Sequence, residues 1–236
     1  DFVDGELAGK IEVPADALVY DPYENEWVEI GAGETSFSYG KYAYKSSNYH
    51  HGEAMDIVDY LYAEAFVEQW RTKTSEGDPY YNAQYEAAQS GMTNVARVWD
   101  FENETVESYY NFNFPADKTR AAVRGIPDWT VSASQPSVGV VWEVVEALQR
   151  MVVNGPRVSD TNWGFSPGAG VEETDVLRSP KCIEDVRAEL VAMIEERHVP
   201  VYIKDFITAD EAIKRYQAAI DFIDEYGHAY IANGPY

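Results

Sequence analysis

The sequence predicts an α/β chain of the mixed α+β kind, with helices and short strands alternating. Apolar residues recur at spacings of three and four along Met55, Val58, Tyr62, Phe66 and Trp70, and again along Val141, Val144, Val145, Leu148 and Val152. That spacing places each set on one face of a helix. Between the two helices, residues 95–99 and 105–112 are rich in β-branched and aromatic side chains and flank Asp100-Phe101-Glu102-Asn103-Glu104, the pattern of a β-hairpin.

Residues 1–34 read as short strands and turns. Gly9-Lys10-Ile11-Glu12-Val13-Pro14 is an edge strand closed by proline, and Asp21-Pro22 supplies turn chemistry before a second short strand at Trp27. Residues 35–45, dense in Phe, Tyr, Ser and Thr, predict a strand. A loop over 46–52 leads into a helix from about Glu53, with Asp56 and Asp59 in its first turns, where negative charge suits the helix dipole. Asp78 as N-cap and Pro79 as first helical residue predict a short helix over 80–89, ended by Gly91. Another helix starts at Asn113-Phe114-Pro115 and runs to about Arg124, and residues 125–138 are irregular.

The helix over 138–154 is stopped by Asn154-Gly155-Pro156. A glycine-rich loop spans 160–173, and Pro180 opens a helix that uses Ile183, Val186, Leu190 and Ile194. Val201-Tyr202-Ile203 reads as a short strand. Thr208 with Glu211 forms a capping box for a helix closed by Gly227. Residues 228–232 read as a last strand before the turn Asn233-Gly234-Pro235-Tyr236.

The net charge of −23, from 41 acidic and 18 basic residues, argues against nucleic acid and anionic lipid as partners. A hydrophobic content of 45% marks a folded chain and not an acidic tail. The acidity reads as a solvated surface, with adaptation to high salt as the sharper alternative. Cys182 is the one cysteine, so no intrachain disulfide can form, and it reads as a packing residue. No apolar run approaches membrane-spanning length and no signal peptide is present. The chain begins at Asp1 without Met and stops at a turn signal, so it is expected to be a piece of a longer precursor.

His50 and His51, with Glu53, Asp56 and Asp59 nearby, are the most tempting candidates for a metal site. Adjacent side chains point apart, however, and the helix start explains the two aspartates. The loop is therefore read as structured, its histidines bonded to backbone groups, with no metal and no cofactor. Gly-x-Ser-x-Gly, a phosphate loop and a dinucleotide fingerprint are all missing, and carboxylate pairs among so many acids carry no weight. The chain is read as not an enzyme, with no catalytic residue. Among the loop aromatics, Trp129 and Trp163 are the candidate ligand-binding residues, as walls of a cleft.

The run Tyr49-His50-His51-Gly52-Glu53-Ala54-Met55, continued by Asp59-Tyr60-Leu61-Tyr62, resembles the signature of the family 5 extracellular solute-binding proteins, receptors of ABC importers for peptides and nickel. The hairpin at Asp100 to Tyr110, the helix at Arg215-Tyr216-Gln217-Ala218-Ala219-Ile220 and the closing Asn233-Gly234-Pro235-Tyr236 look like the archaeal form of that family. Tyr49 departs from the family's usual Trp or Phe.

The resemblance implies a type II periplasmic-binding-protein lobe, incomplete at one or both ends, with residues 1–236 forming a single region of a larger two-lobe receptor. It implies a monomeric receptor outside the cell, at its surface or in a periplasm, attached to the membrane through parts not in this chain. Its partners would be a small peptide, or else an oligosaccharide, and the ABC permease subunits. It carries over no ligand contact, because the motif residues are mainly structural. An acidic extracellular glycoside hydrolase and a structural surface module are the readings from other classes.

Overall fold

The computed structural model describes residues 2–3, 6–7, 11–44, 47–89, 94–112, 117, 125 and 141–234. The helix expected from Asn113 to about Arg124, apart from Asp117, lies outside them, as do nearly all of the irregular 125–138 segment, Trp129, Gly91 and the last two residues of the closing turn.

Helices and an antiparallel sheet share one core, a mixed α+β architecture. Strands β1 (Phe2–Val3) and β2 (Glu6–Leu7) pair with each other, and β3 (Ile11–Glu12) pairs with β6 (Thr35–Ser36). The main sheet has five strands in the order β5-β4-β8-β9-β7. They are β4 (Leu18–Asp21), β5 (Glu26–Glu29), β7 (Ser38–Ala43), β8 (Asn94–Asp100) and β9 (Thr105–Tyr110). The hairpin read from the sequence is β8–β9, in register from Asp100↔Thr105 to Arg97↔Ser108. The β4–β5 turn follows from Asp21, whose Oδ1 accepts from the Tyr23 amide at 2.8 Å. The single strand expected over 35–45 is instead β6 and β7, separated at Phe37.

Helix α1 (Ile57–Arg71) is central to the molecule. The sequence spacing predicts one apolar face. Its residues are instead buried on almost every side, because α1 packs on the sheet, on the short α2 (Ala83–Gln89) and on α3 (Trp142–Asn154). α1 begins at Ile57 and not at Glu53, because Asp56 is its N-cap. α2 also begins later than expected. Asp78 caps a preceding turn through its bonds with Thr74 and Tyr80, and the Gln84 amide donates to Asn82 Oδ1 at 2.9 Å.

Beyond α3, the glycine-rich loop contributes β10 (Trp163–Gly164) and β11 (Glu172–Glu173), a two-residue parallel pair. Helices α4 (Pro180–Glu195) and α5 (Ala209–Tyr226) close the outer layer. Ser179 caps α4, the Thr208–Glu211 capping box is formed at α5, and Gly227 ends α5 in the left-handed region at φ 75°.

Two expected strands are not formed. Val201–Ile203 is a 3₁₀ turn, because its backbone and side chains serve the core: Tyr202 O accepts from Trp27 Nε1 at 2.8 Å, and its hydroxyl donates to Gln149 at 3.0 Å. Residues 228–232 run as an irregular segment tied at Ala229 to Val176 O (2.8 Å).

Candidate functional site

The loop after β7 is where distant parts of the chain meet. The His50 amide donates to Ala232 O at 2.8 Å, and the Ala232 amide donates back to His50 Nδ1 at 3.4 Å. Asn233 Nδ2 donates to Ser47 Oγ at 3.1 Å. The loop is thus fastened to the segment that follows α5. Its other end is set by the capping box of α1, in which the Val58 amide donates to Asp56 Oδ1 and the Asp56 amide donates to Asp59 Oδ2, each at 2.8 Å.

Capping uses one oxygen of Asp59 and leaves the other for Arg215 of α5, whose Nη2 donates to Asp59 Oδ1 at 2.8 Å. The same guanidinium donates to Glu143 of α3, from Nε at 3.2 Å and from Nη2 at 3.0 Å, and to Ala54 O from Nη1 at 3.2 Å. Its Cζ lies over the ring of Tyr49 at 5.2 Å and over that of Trp142 at 5.3 Å. Glu143 Oε1 also accepts from His51 Nε2 at 2.5 Å. The result is an enclosed array of His51, Glu143, Arg215 and Asp59 that links the loop, α1, α3 and α5.

The electrostatics divide the two carboxylates. Burial pushes Glu143 up, but Arg215 and the His51 bond outweigh it and hold its carboxyl below the usual range. It is therefore ionised, and His51 is the donor in their bond. Burial dominates at Asp59 and, against the pull of Arg215, raises its carboxyl from 3.8 to about 6. Burial lowers Arg215, but Asp59 and Glu143 more than offset this and hold it well above the ordinary guanidinium value.

Asp59 takes up a proton near pH 6 in the folded chain and near 3.8 in the unfolded one. The stability it contributes is full below the lower value and is lost as pH rises through the upper one. Compared with Asp59→Asn, which keeps the capping acceptor, the wild type is expected to gain stability as pH falls from about 7 to about 4. Urea midpoints of the two proteins across that range check this, and a constant difference would refute it.

α3 carries more of this polar interior. Glu143, Glu146 and Gln149, three residues apart, are all buried. Glu146 Oε2 accepts from Tyr62 at 2.9 Å and from Gln149 at 2.5 Å, and Glu146 Oε1 pairs with His198 at 2.7 Å. Gln149 Oε1 accepts from Trp70 Nε1 at 3.1 Å. Nearer the sheet, Arg97 bonds Glu64, Ser108 and the Gly125 carbonyl. The spacing of three was a readable signal for α3, since charged residues lay beside an apolar stripe in a helix with few other polar positions.

Two hollows border the array. A cavity of about 170 Å³ over Arg215 is lined by Glu53, Asp56, Trp142, Glu211 and Lys214. A more open groove of about 540 Å³ lies along α5 between His50, Glu53, Gln217, Asp221, Phe222 and Tyr226.

The residues that the sequence singles out take the following places in the fold. His50 bonds backbone, as expected, whereas His51 bonds a carboxylate. Among the described residues, no group of three or more His, Cys, Asp or Glu side chains is placed to hold a metal ion. Trp163 is 2% exposed in the core, with its indole donating to Asp185 at 2.9 Å, and Trp129 lies outside the described residues. Cys182 is buried, which pushes its thiol up to about 12. Among the described residues no helix is long and apolar enough to cross a membrane.

Arg215 bonds both carboxylates, and through these bonds the array fastens the loop, α1, α3 and α5 to one another. No protein-family model matches the chain, and no curated protein sequence matches it.

Proposed function

We propose that this chain is a region of the substrate-binding component of an ABC importer, a receptor that captures an oligopeptide outside the cell. One observation carries the reading. The two stretches most similar to the receptor family, Tyr49-His50-His51-Gly52 and the approach to Asn233-Gly234, lie far apart in sequence yet bond each other at His50–Ala232 and Ser47–Asn233. A shared motif is expected to behave this way when its parts maintain one structural unit.

Within the reading, the ion array stiffens one lobe, and the ligand is enclosed between this lobe and another. A ligand that touches both lobes stabilises the closed form, which the permease recognises. The lobe would be of the type II periplasmic-binding-protein kind, the receptor monomeric, and its role the binding of solute and not its chemical conversion.

The test is a thermal-shift screen of the full-length protein with pools of short peptides and of oligosaccharides, at low and high salt. A peptide present at about 100 times its Kd is expected to stabilise the protein by about 2.7 kcal/mol. A shift with oligosaccharides alone would keep the receptor and replace its ligand. No shift with either class would defeat the receptor reading.

A further inference from the structure

We propose that Asn103 is an N-glycosylation site, and that the first sugar of its glycan packs on the exposed ring of Phe101. The site rests on the extracellular reading above, because the modification is made on the outer side of a membrane.

Asn103-Glu104-Thr105 is the one place in the sequence where Asn is followed two residues later by Ser or Thr across a residue other than proline. The fold puts it at the tip of the β8–β9 hairpin, on the turn joining Asp100 to Thr105. The turn is built without Asn103's carbonyl side-chain oxygen. Asp100 Oδ1 accepts from the amides of Glu102 at 3.1 Å and Asn103 at 3.0 Å, and Glu104 closes the turn in the left-handed region at φ 49°. Asn103 is exposed. Its Nδ2 donates to Asp100 Oδ2 at 2.9 Å, a bond that needs one amide hydrogen and survives loss of the other.

Phe101 stands two residues before Asn103 on the same turn and is 44% exposed. Phe206 stacks on one of its faces, with centroids 5.4 Å apart and an interplanar angle of 18°. An aromatic ring held in this way and 44% exposed suits the C–H-rich face of a pyranose. The contact removes apolar surface from water and sets polarised C–H groups against the negative face of the ring. Phe101, Asn103 and Thr105 thus put the sugar acceptor two residues from its platform on one tight turn.

The co-reactant is an oligosaccharide linked through its anomeric carbon to a polyisoprenyl phosphate or diphosphate. Asn103 Nδ2 forms a bond to that carbon. The bond from the carbon to the phosphate oxygen breaks, and its electron pair leaves with the lipid phosphate. The amide gives up one proton to a base of the transferase and keeps the other. No electrons are gained or lost overall.

The experiment takes the full-length protein from its own cells, fractionates those cells, and maps glycopeptides by tandem mass spectrometry. The expected result is protein on the outer side carrying a glycan at Asn103. The glycan should be lost completely in Asn103→Gln and Thr105→Ala, and retained at severalfold lower occupancy in Thr105→Ser. The glycosylated wild type should melt above Asn103→Gln, and this gap should vanish when both carry Phe101→Ala. Protein on the outer side with unmodified Asn103 overturns the site and leaves the receptor reading standing. Protein confined to the cytoplasm overturns the extracellular reading and the site together. A melting gap that survives Phe101→Ala overturns the platform.

Discussion

Arg215→Met is expected to destabilise the protein by about 3–5 kcal/mol, a large part of the roughly 5–15 kcal/mol that holds a typical domain folded. The reason is the company left behind. Methionine fills much of the same space beside Tyr49 and Trp142, so the loss is not mainly one of packing. It comes from Glu143, whose side chain is fully buried, and from Asp59, nearly so, both losing the guanidinium that offsets their burial. Arg215→Lys is expected to recover little. One ammonium cannot reproduce bonds from three nitrogens to Glu143, Asp59 and the Ala54 carbonyl. Joining Arg215→Met to Glu143→Gln and Asp59→Asn should restore part of the loss, because the stranded charges leave with their partner. Urea denaturation of the four proteins measures each step, and a loss below about 1 kcal/mol for Arg215→Met would place the array among contacts of surface strength.

This array is the least legible part of the molecule. Arg215 and Glu143 stand 72 positions apart, and Arg215 and Asp59 stand 156 apart. Local chemistry accounts for Asp59 completely as a helix-start residue, and it does cap the helix, but with only one oxygen. The second oxygen's partner is a matter of tertiary packing. What local chemistry does decide is readable: the capping box at Thr208 and Glu211, the stop at Gly227, and the β8–β9 hairpin with its Asp100 turn. Where β propensity misleads, burial overrules it. Val201–Ile203 carries strand-forming residues, yet Trp27 and Gln149 claim Tyr202 from two sides and hold a 3₁₀ turn. Trp163 reads in the sequence as a loop aromatic facing a ligand. In the fold Asp185 accepts its indole N–H inside the core, together with bonds from the amide and hydroxyl of Ser159.

Phe66→Ala is the second change with a large expected effect, about 3–5 kcal/mol, and it tests a different kind of bond. Phe66 is fully buried in the middle of α1. Its ring lies 5.5 Å from Trp70 and 6.2 Å from Tyr62 on the same helix. It also lies 5.8 Å from Tyr85 of α2, 5.7 Å from Phe165 beyond β10 and 6.3 Å from Tyr202 of the 3₁₀ turn, all three edge-on. Its neighbours are anchored elsewhere, Trp70 and Tyr202 by Gln149 and Tyr62 by Glu146, so they cannot easily move in to fill a void. A site that cannot collapse carries the cavity cost in addition to the lost transfer energy. Phe66→Leu, which keeps most of the volume, should lose less than half as much. Tyr226→Ala, on the exposed last turn of α5, should stay within about 0.5 kcal/mol of the wild type. Thermal and urea unfolding of the three variants give that ranking. If Phe66→Ala proved as mild as Tyr226→Ala, the aromatic cluster around α1 would not be the centre of the fold.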